Sequence, residues 1–327
     1  MKFEPSFGDI AHLGHAELLT PLLEESGAFF TEVMGLHIVG RDKRSLYLRA
    51  WGDYERFTLQ LTGSKASGIG HVAFRTKSAE ILKMLVSNLE SNGVTGNWQT
   101  DNFGHGPAYR FRAPDGHEVE LYYVTEKFVA TGDQAPGFKN LPQRYSPHGI
   151  APRRLDHINL LAQDVKACRI FFQKLLGMRV TEQIIFDGDE EVGAWLTATN
   201  KSYDLAFTKD KSTAHGRFHH LTYMMDCRED VLRAADILTE AGIAIETGPH
   251  KHAVGQTFFL YFYEPSGNRI EVGAGGYLIF DPDHQSVVWN QEERKRGQAW
   301  GLATVSTFHT YGTPPADLED PEKTTLK

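Results

Sequence analysis

Cysteine is nearly absent. Cys168 and Cys227, in a chain of 327 residues, cannot build a disulfide framework. The fold must therefore rest on buried apolar surface, and a reducing, cytoplasmic compartment is expected, with both thiols as small core side chains. No apolar run is long enough to cross a bilayer. The opening Met1-Lys2-Phe3-Glu4-Pro5 lacks the apolar core of a secretory signal, so no membrane partner is expected. Lys/Arg runs are also missing and the formal net charge is −8, which argues against a nucleic-acid partner. No Gly-x-Gly-x-x-Gly stretch follows a strand pattern and no Walker sequence occurs, so no nucleotide cofactor is expected. What the chain does have is 41% hydrophobic residues and fifteen histidines. The first is enough for one large or two ordinary domains. The placement of the second is informative.

Residues 12–21 read as a strand closed by Pro21, and 22–34 as an amphipathic helix burying Leu22, Leu23, Phe29, Phe30 and Val33, with Gly35 as its stop. Strands are predicted at 45–50, 55–61, 70–74, 109–112 and 117–123, and a helix at 78–92. The second half repeats this order. Phe29-Phe30 and Phe171-Phe172 lie 142 residues apart, as do His15 and His157. His71 and His220 lie 149 apart, and Glu120 and Glu271 lie 151 apart. Small drifts at loops mark a diverged tandem duplication whose unit is a domain. The expected fold class is α+β: four βαβββ modules, at about 10–63, 68–125, 152–208 and 217–273, paired into two curved, half-open mixed barrels. The expected division is an N-terminal domain 1–135, a linker 136–151, a C-terminal catalytic domain 152–290, and a tail 291–327. The tail is expected to cover part of the second domain, with about its last ten residues frayed.

Strand alternation puts His157 and Asn159 on one face, opposite Ile158 and Leu160, and sets Glu271 with Arg269 opposite Ile270 and Val272. Polar groups on an inner face need partners, because an uncompensated buried carboxylate is costly. A divalent metal held by His157, His220 and Glu271 would satisfy all three and leave positions open. Two histidines and one carboxylate is the donor set of non-haem Fe(II) oxygenases. The plainer alternative is two satisfied core histidines and a salt-bridged glutamate. Separations of 63 and 51 residues match no short metal motif, so spacing alone leaves both open.

Several stretches carry a resemblance: Leu155-Asp156-His157-Ile158-Asn159, Arg217-Phe218-His219-His220-Leu221, Gly248-Pro249-His250-Lys251-His252, Phe259-Leu260-Tyr261, and Pro265 through Val272. With Gly276-Tyr277, Phe280-Asp281-Pro282-Asp283 and Trp289, they resemble the type I extradiol ring-cleavage dioxygenases, the catechol 2,3-dioxygenase family of the vicinal oxygen chelate superfamily. The resemblance spans about residues 10–300. Gly149–Arg154 and Arg49–Asp53 resemble the subgroup acting on bicyclic or aryl catechols, some of which use manganese.

The resemblance implies that His157, His220 and Glu271 bind Fe(II), with Mn(II) as the alternative. It implies that His252 hydrogen-bonds substrate and oxygen, that Tyr261 contacts a catecholic oxygen, and that Asn159 lines the same cavity. His219 is expected to point to the opposite face. The implied reaction inserts both atoms of O2 beside the vicinal hydroxyls of a small aromatic diol, giving a hydroxymuconic-semialdehyde-type product. The implied assembly is a homo-oligomer, a tetramer or larger.

One position departs from the family. In Lys201-Ser202-Tyr203-Asp204-Leu205, Tyr203 stands where the family has an acid/base histidine. A phenol, with a reference pKa of about 10, is a poor base at neutral pH. Tyr203 could serve as the acid with His252 handling the other proton, His215 could reach the pocket, or the ring could need less base assistance. The equivalent first-half set, His15, His71 and Glu120, is expected to be a structural duplicate without a metal, because the His252–Tyr261 spacing is not reproduced there, although His105 could point into that cavity. Trp51, Trp98 and Trp195 are expected in core or cavity wall. The rival functions are a glyoxalase-like isomerase or epimerase, and a non-catalytic aromatic-ligand-binding protein.

Overall fold

A computed structural model describes residues 3–316; the last ten residues, expected to fray, lie outside the described residues. The first sheet holds β1 (Ile10–Thr20), β2 (His37–Arg41), β3 (Ser45–Arg49), β4 (Leu59–Gly63), β5 (Gly68–Thr76), β6 (Gly96–Gln99), β7 (Ala108–Arg112) and β8 (Glu118–Tyr122). Their spatial order is β2-β3-β4-β1-β5-β8-β7-β6. The second sheet holds β9 (Arg154–Ala162), β10 (Arg179–Phe186), β11 (Glu190–Thr197), β12 (Leu205–Lys209), β13 (Phe218–Met224), β14 (Ile245–Lys251), β15 (Thr257–Tyr263) and β16 (Arg269–Gly275). Its order, β10-β11-β12-β9-β13-β16-β15-β14, repeats the first strand for strand, and β17 (Val287–Trp289) is added in parallel beside β10. Both sheets are mixed: β1 runs parallel to β4 and antiparallel to β5, as β9 does to β12 and β13. The chain is thus a tandem α+β duplication of βαβββ modules. Strands β2 and β6, each short and bearing exposed residues, carry little alternation and were not predicted.

One helix follows the first strand of each module: α1 (Leu23–Ala28), α2 (Ala79–Ser91), α3 (Val165–Leu176) and α4 (Arg228–Glu240). In α3, Asp164 accepts the Ala167 amide and Gly177 closes the helix at φ 71°, a backbone region that glycine reaches without Cβ strain. Its buried stripe is Val165, Cys168, Phe171, Phe172 and Leu176. Phe172 meets Phe74, and Phe171 meets Phe111, across the two halves. In the first module, Phe29 and Phe30 are buried as predicted but Leu22 is exposed, because α1 begins after it. Two other expectations fail. Cys227 is exposed at the start of α4, where it caps with Asp230. Trp98 is 45% exposed on the edge strand β6, whereas Trp51 is buried.

The segment after β17 folds back over the second sheet through α5 (Gln291–Lys295). Arg217, fully buried just before β13, fastens it. Its guanidinium donates to both oxygens of Asp210, at 2.9 and 3.0 Å, and to the carbonyls of Thr310, Gly312 and Pro314. Removing the cation leaves Asp210 buried and unpaired, which typically costs about 3–5 kcal/mol. Arg217→Met is expected to lower the unfolding free energy by about that amount in urea titrations followed by tryptophan fluorescence. A loss within experimental error would show that the staple carries no stability.

Candidate metal centre

The centre of the second sheet brings together β9, β13 and β16. Register sets the site: His157 pairs with Thr222, Thr222 with Glu271, and Asn159 with His220. His157, His220 and Glu271 each offer a ligand atom, all within 4.8 Å of one another. The Nε2 atoms of His157 and His220 are 3.4 Å apart and lie 3.2 and 3.3 Å from Glu271 Oε2. Such spacings suit one ion with bonds near 2.1 Å, whose adjacent ligands stand about 3.0–3.4 Å apart.

The carboxylate is wholly buried. Burial would raise its pKa, yet hydrogen bonds with His157, His220 and His252 hold it well below the ordinary value. For His220, burial dominates and pushes the imidazole down to about 4, leaving the neutral, ligating form. For His157, burial works downward too, but the Asp156 and Glu271 carboxylates outweigh it and raise the imidazole. Asp156 lies 2.9 Å from His157 Nδ1. It fixes the tautomer whose Nε2 faces the site, an arrangement that orients metal-bound imidazoles. Thr222 donates to Glu271 Oε2. A buried carboxylate faced by imidazoles and a hydroxyl, and by no lysine or arginine among the described residues, fits a divalent ion.

Above this floor lies a cavity of about 170 Å³, lined at one end by Asn159, His219, His220, His252, Tyr261 and Tyr203. Ile184, Phe186, Val192, Trp195 and Val254 form an apolar wall, while Phe308 packs on His219 and Tyr261. His252 Nε2 is 3.0 Å from the Tyr261 hydroxyl and 3.3 Å from Glu271 Oε1. Its Nδ1 meets Gln298 Oε1 at 3.0 Å and its ring stacks on Phe259. Asn159 Nδ2 donates to Thr208, while its buried Oδ1 has no partner. Tyr203 lies against His157, ring centroids 4.3 Å apart. Burial, then the charges of Glu271 and Asp156, raise its phenol well above the ordinary value.

The cavity departs from the sequence reading in several places. His219 does not turn away: a register shift between Phe218 and His220 is a bulge, which upsets alternation, and His219 lines the same cavity with Nδ1 2.6 Å from that of His220. His215 does not reach the pocket; it is exposed and pairs with Asp115 of the first half at 2.9 Å. In the first half, the grouped donors are His15, His105 and Glu120, with His105 replacing the expected His71. Sequence reasoning missed Gln298, Arg294, Thr304, Phe308 and His309, which the tail lays over the cavity. It also passed over Asp156, whose adjacency to His157 was the available signal.

Residues 12–121 and 154–272 match the family described as Glyoxalase/Bleomycin resistance protein/Dioxygenase superfamily. The metapyrocatechase of Geobacillus stearothermophilus is 38% identical over 319 residues, 97% of each chain. The chain belongs to this superfamily, among its extradiol ring-cleaving dioxygenases. A manganese-dependent 2,3-dihydroxybiphenyl 1,2-dioxygenase from Geobacillus genomosp. 3 is also 38% identical, over 89% of this chain and 94% of the relative. Homoprotocatechuate 2,3-dioxygenase from Brevibacterium fuscum, solved with 3,4-dihydroxyphenylacetate, superposes with a TM-score of 0.84 at 28% identity, covering 95% of each chain. This is an enzyme of the non-haem, metal-dependent class, acting on catechol-type substrates with O2. Among the described residues no helix is long and apolar enough to cross a membrane.

Asp156→Asn keeps the shape but removes the charge behind His157. Metal affinity is expected to fall about 10- to 100-fold, read by competition with a chromogenic chelator. Unchanged affinity would exclude Asp156 as the orienting group.

Proposed function

We propose that this enzyme opens the ring of catechols carrying an apolar, aryl-sized substituent, using Fe(II), or alternatively Mn(II), held by His157, His220 and Glu271. The observation that carries the substrate choice is the two-ended cavity: hydrogen-bonding groups above the carboxylate, an apolar wall at the other end. The ion, when bound, would template the two vicinal oxygens and conduct electron density from the ring to O2. A small aromatic diol and O2 are then the only partners the reaction requires. A homo-oligomer, tetramer or larger, is supported by Leu278, Phe280, Val288 and Trp300, exposed apolar side chains that association would cover.

The chain's own residues divide the remaining work. The Tyr261 hydroxyl and the unpartnered Oδ1 of Asn159 orient the diol. His252 moves a proton at Nε2, with Gln298 holding Nδ1 so that Nε2 stays directed at the cavity. Tyr203 remains a phenol throughout the working pH range. It therefore acts as a hydrogen-bond donor to developing negative charge, not as a base, and the departure from histidine moves base work to His252. Phe308, Thr304 and Gln298 roof the cavity and exclude water.

A second reading is favoured by Arg294, a cation in the cavity lining, which would suit a carboxylated catechol. Its guanidinium already donates to Gly297 O and Thr304 Oγ1, so we favour the apolar substituent.

Protein loaded anaerobically with Fe(II), or in parallel with Mn(II), is expected to consume O2 and form a yellow ring-fission product. The expected order of kcat/KM is 2,3-dihydroxybiphenyl above 3-methylcatechol above catechol. Preference for 3,4-dihydroxyphenylacetate would support the second reading, and no O2 uptake with any of them would sink ring cleavage in favour of an isomerase or a binding protein. Tyr203→Phe is expected to lower kcat about 100-fold with little change in KM. Turnover equal to the parent would remove Tyr203 from the chemistry.

A further inference from the structure

The first half carries a second cluster that the reaction does not use. Register makes the comparison strict. His15 pairs with Ala73, and Ala73 with Glu120, as His157 pairs with Thr222 and Thr222 with Glu271. Glu17 opposite His71 takes the place of Asn159 opposite His220, and Arg110 opposite Glu120 takes the place of Tyr261 opposite Glu271.

These two replacements rearrange the donors. Glu17 Oε2 lies 2.8 Å from His71 Nδ1. Arg110 donates through Nε to Glu120 Oε2 at 2.7 Å. That leaves Glu120 Oε1, wholly buried and without a hydrogen-bond partner. It faces His15 Nε2 and His105 Nε2, each at 3.5 Å. His71 Nε2 lies 3.0 Å from His15 Nε2 and 3.4 Å from Arg110 Nη2, outside the group of three donors. The side chains of His15, His71 and His105 are 2%, 1% and 4% exposed, so water cannot supply the missing partner freely. Donors around a tetrahedral ion with bonds of about 2.0–2.1 Å stand about 3.4 Å apart, close to the 3.5 Å between Glu120 Oε1 and each of the two imidazoles.

We propose that His15, His105 and Glu120 Oε1 form a second divalent-metal centre in the first half, closed and structural in kind. Two imidazoles and one carboxylate in an enclosed site suit zinc. Glu17 stands behind His71 as Asp156 stands behind His157. It supplies the negative charge that a dication needs beside Arg110. Phe57 packs on His15 at 4.6 Å, much as Tyr203 packs on His157, so the first-half cluster has no hydroxyl at that place. With Arg110 where Tyr261 would be, it lacks the donors for turnover. The site binds an ion without catalysing a reaction, and it does not depend on which catechol the second half cleaves.

The test is metal content of the full-length protein after dialysis against Zn(II) or Mn(II), measured by plasma mass spectrometry. The parent is expected to hold about two ions per chain and His220→Ala about one. His105→Ala and the shape-conserving Glu120→Gln should each lose one ion while His220→Ala combined with Glu120→Gln holds none. Circular dichroism checks that each variant is folded; if His105→Ala is not, Glu120→Gln alone decides. One ion in the parent and none in His220→Ala would overturn the proposal and make Arg110 the resident cation of the cluster. Ring-cleavage activity, measured separately on the parent, reports on the second half alone, so failure there is distinguishable from failure here.

Discussion

A carboxylate with no access to solvent is the constraint on which the second half is built. Glu271 sits in β16 with none of its surface exposed, and an ionised group in that position needs compensation worth several kcal/mol. The fold supplies it from three directions. β9 brings His157, β13 brings His220 and Thr222, and the segment leading into β15 brings His252. Each strand contributes because the mixed order places β16, β13 and β9 side by side. The same arrangement that makes the carboxylate tolerable makes it a place for a divalent ion, and the open face above it a place for a diol.

Duplication shows how little backbone change separates a reactive centre from an inert one. Both sheets have the same strand order and the same pairing at the site. What differs is chemistry at matched positions: Asn159 against Glu17, Tyr261 against Arg110, Tyr203 against Phe57. In the second half these residues are neutral donors and acceptors facing a cavity. In the first, Glu17 and Arg110 are charges paired with His71 and Glu120, Phe57 is an apolar ring on His15, and the cluster closes on itself.

The tail completes the site. Arg217 and Asp210 anchor residues 310–314, and the stretch between α5 and that anchor carries Gln298 onto His252 and Phe308 over the cavity. Glu182, buried in β10, holds the near side by accepting from Gly255, Tyr277 and Trp289. The side chains proposed to act on the substrate are thus covered by a segment tied down at both ends, which holds His252 through Gln298 and covers the cavity.

Much of this was legible in the chain itself. The repeated Phe-Phe and histidine spacings revealed the duplication, because strands and helices that face a core keep their periodicity when loops drift. Alternation placed His157 with Asn159, and the family stretches drew attention to His220, His252, Tyr261 and Glu271. Alternation failed at His219, where a bulge turns two neighbours toward one cavity, and the expected burial failed for Trp98, which sits on an edge strand and packs on Tyr109 with its other face to solvent. Residues such as Gln298 and Arg217 carry no local pattern: Gln298 meets His252, 46 residues away, and Arg217 holds Thr310, 93 residues away. The amino-acid order alone determined the modules and the donor types, since these follow from local periodicity and side-chain chemistry. Only the tertiary structure decided which donors meet, that His105 and not His71 joins His15 and Glu120, and that the tail closes the cavity. Those outcomes depend on strand register and long-range packing, which no local window of sequence contains.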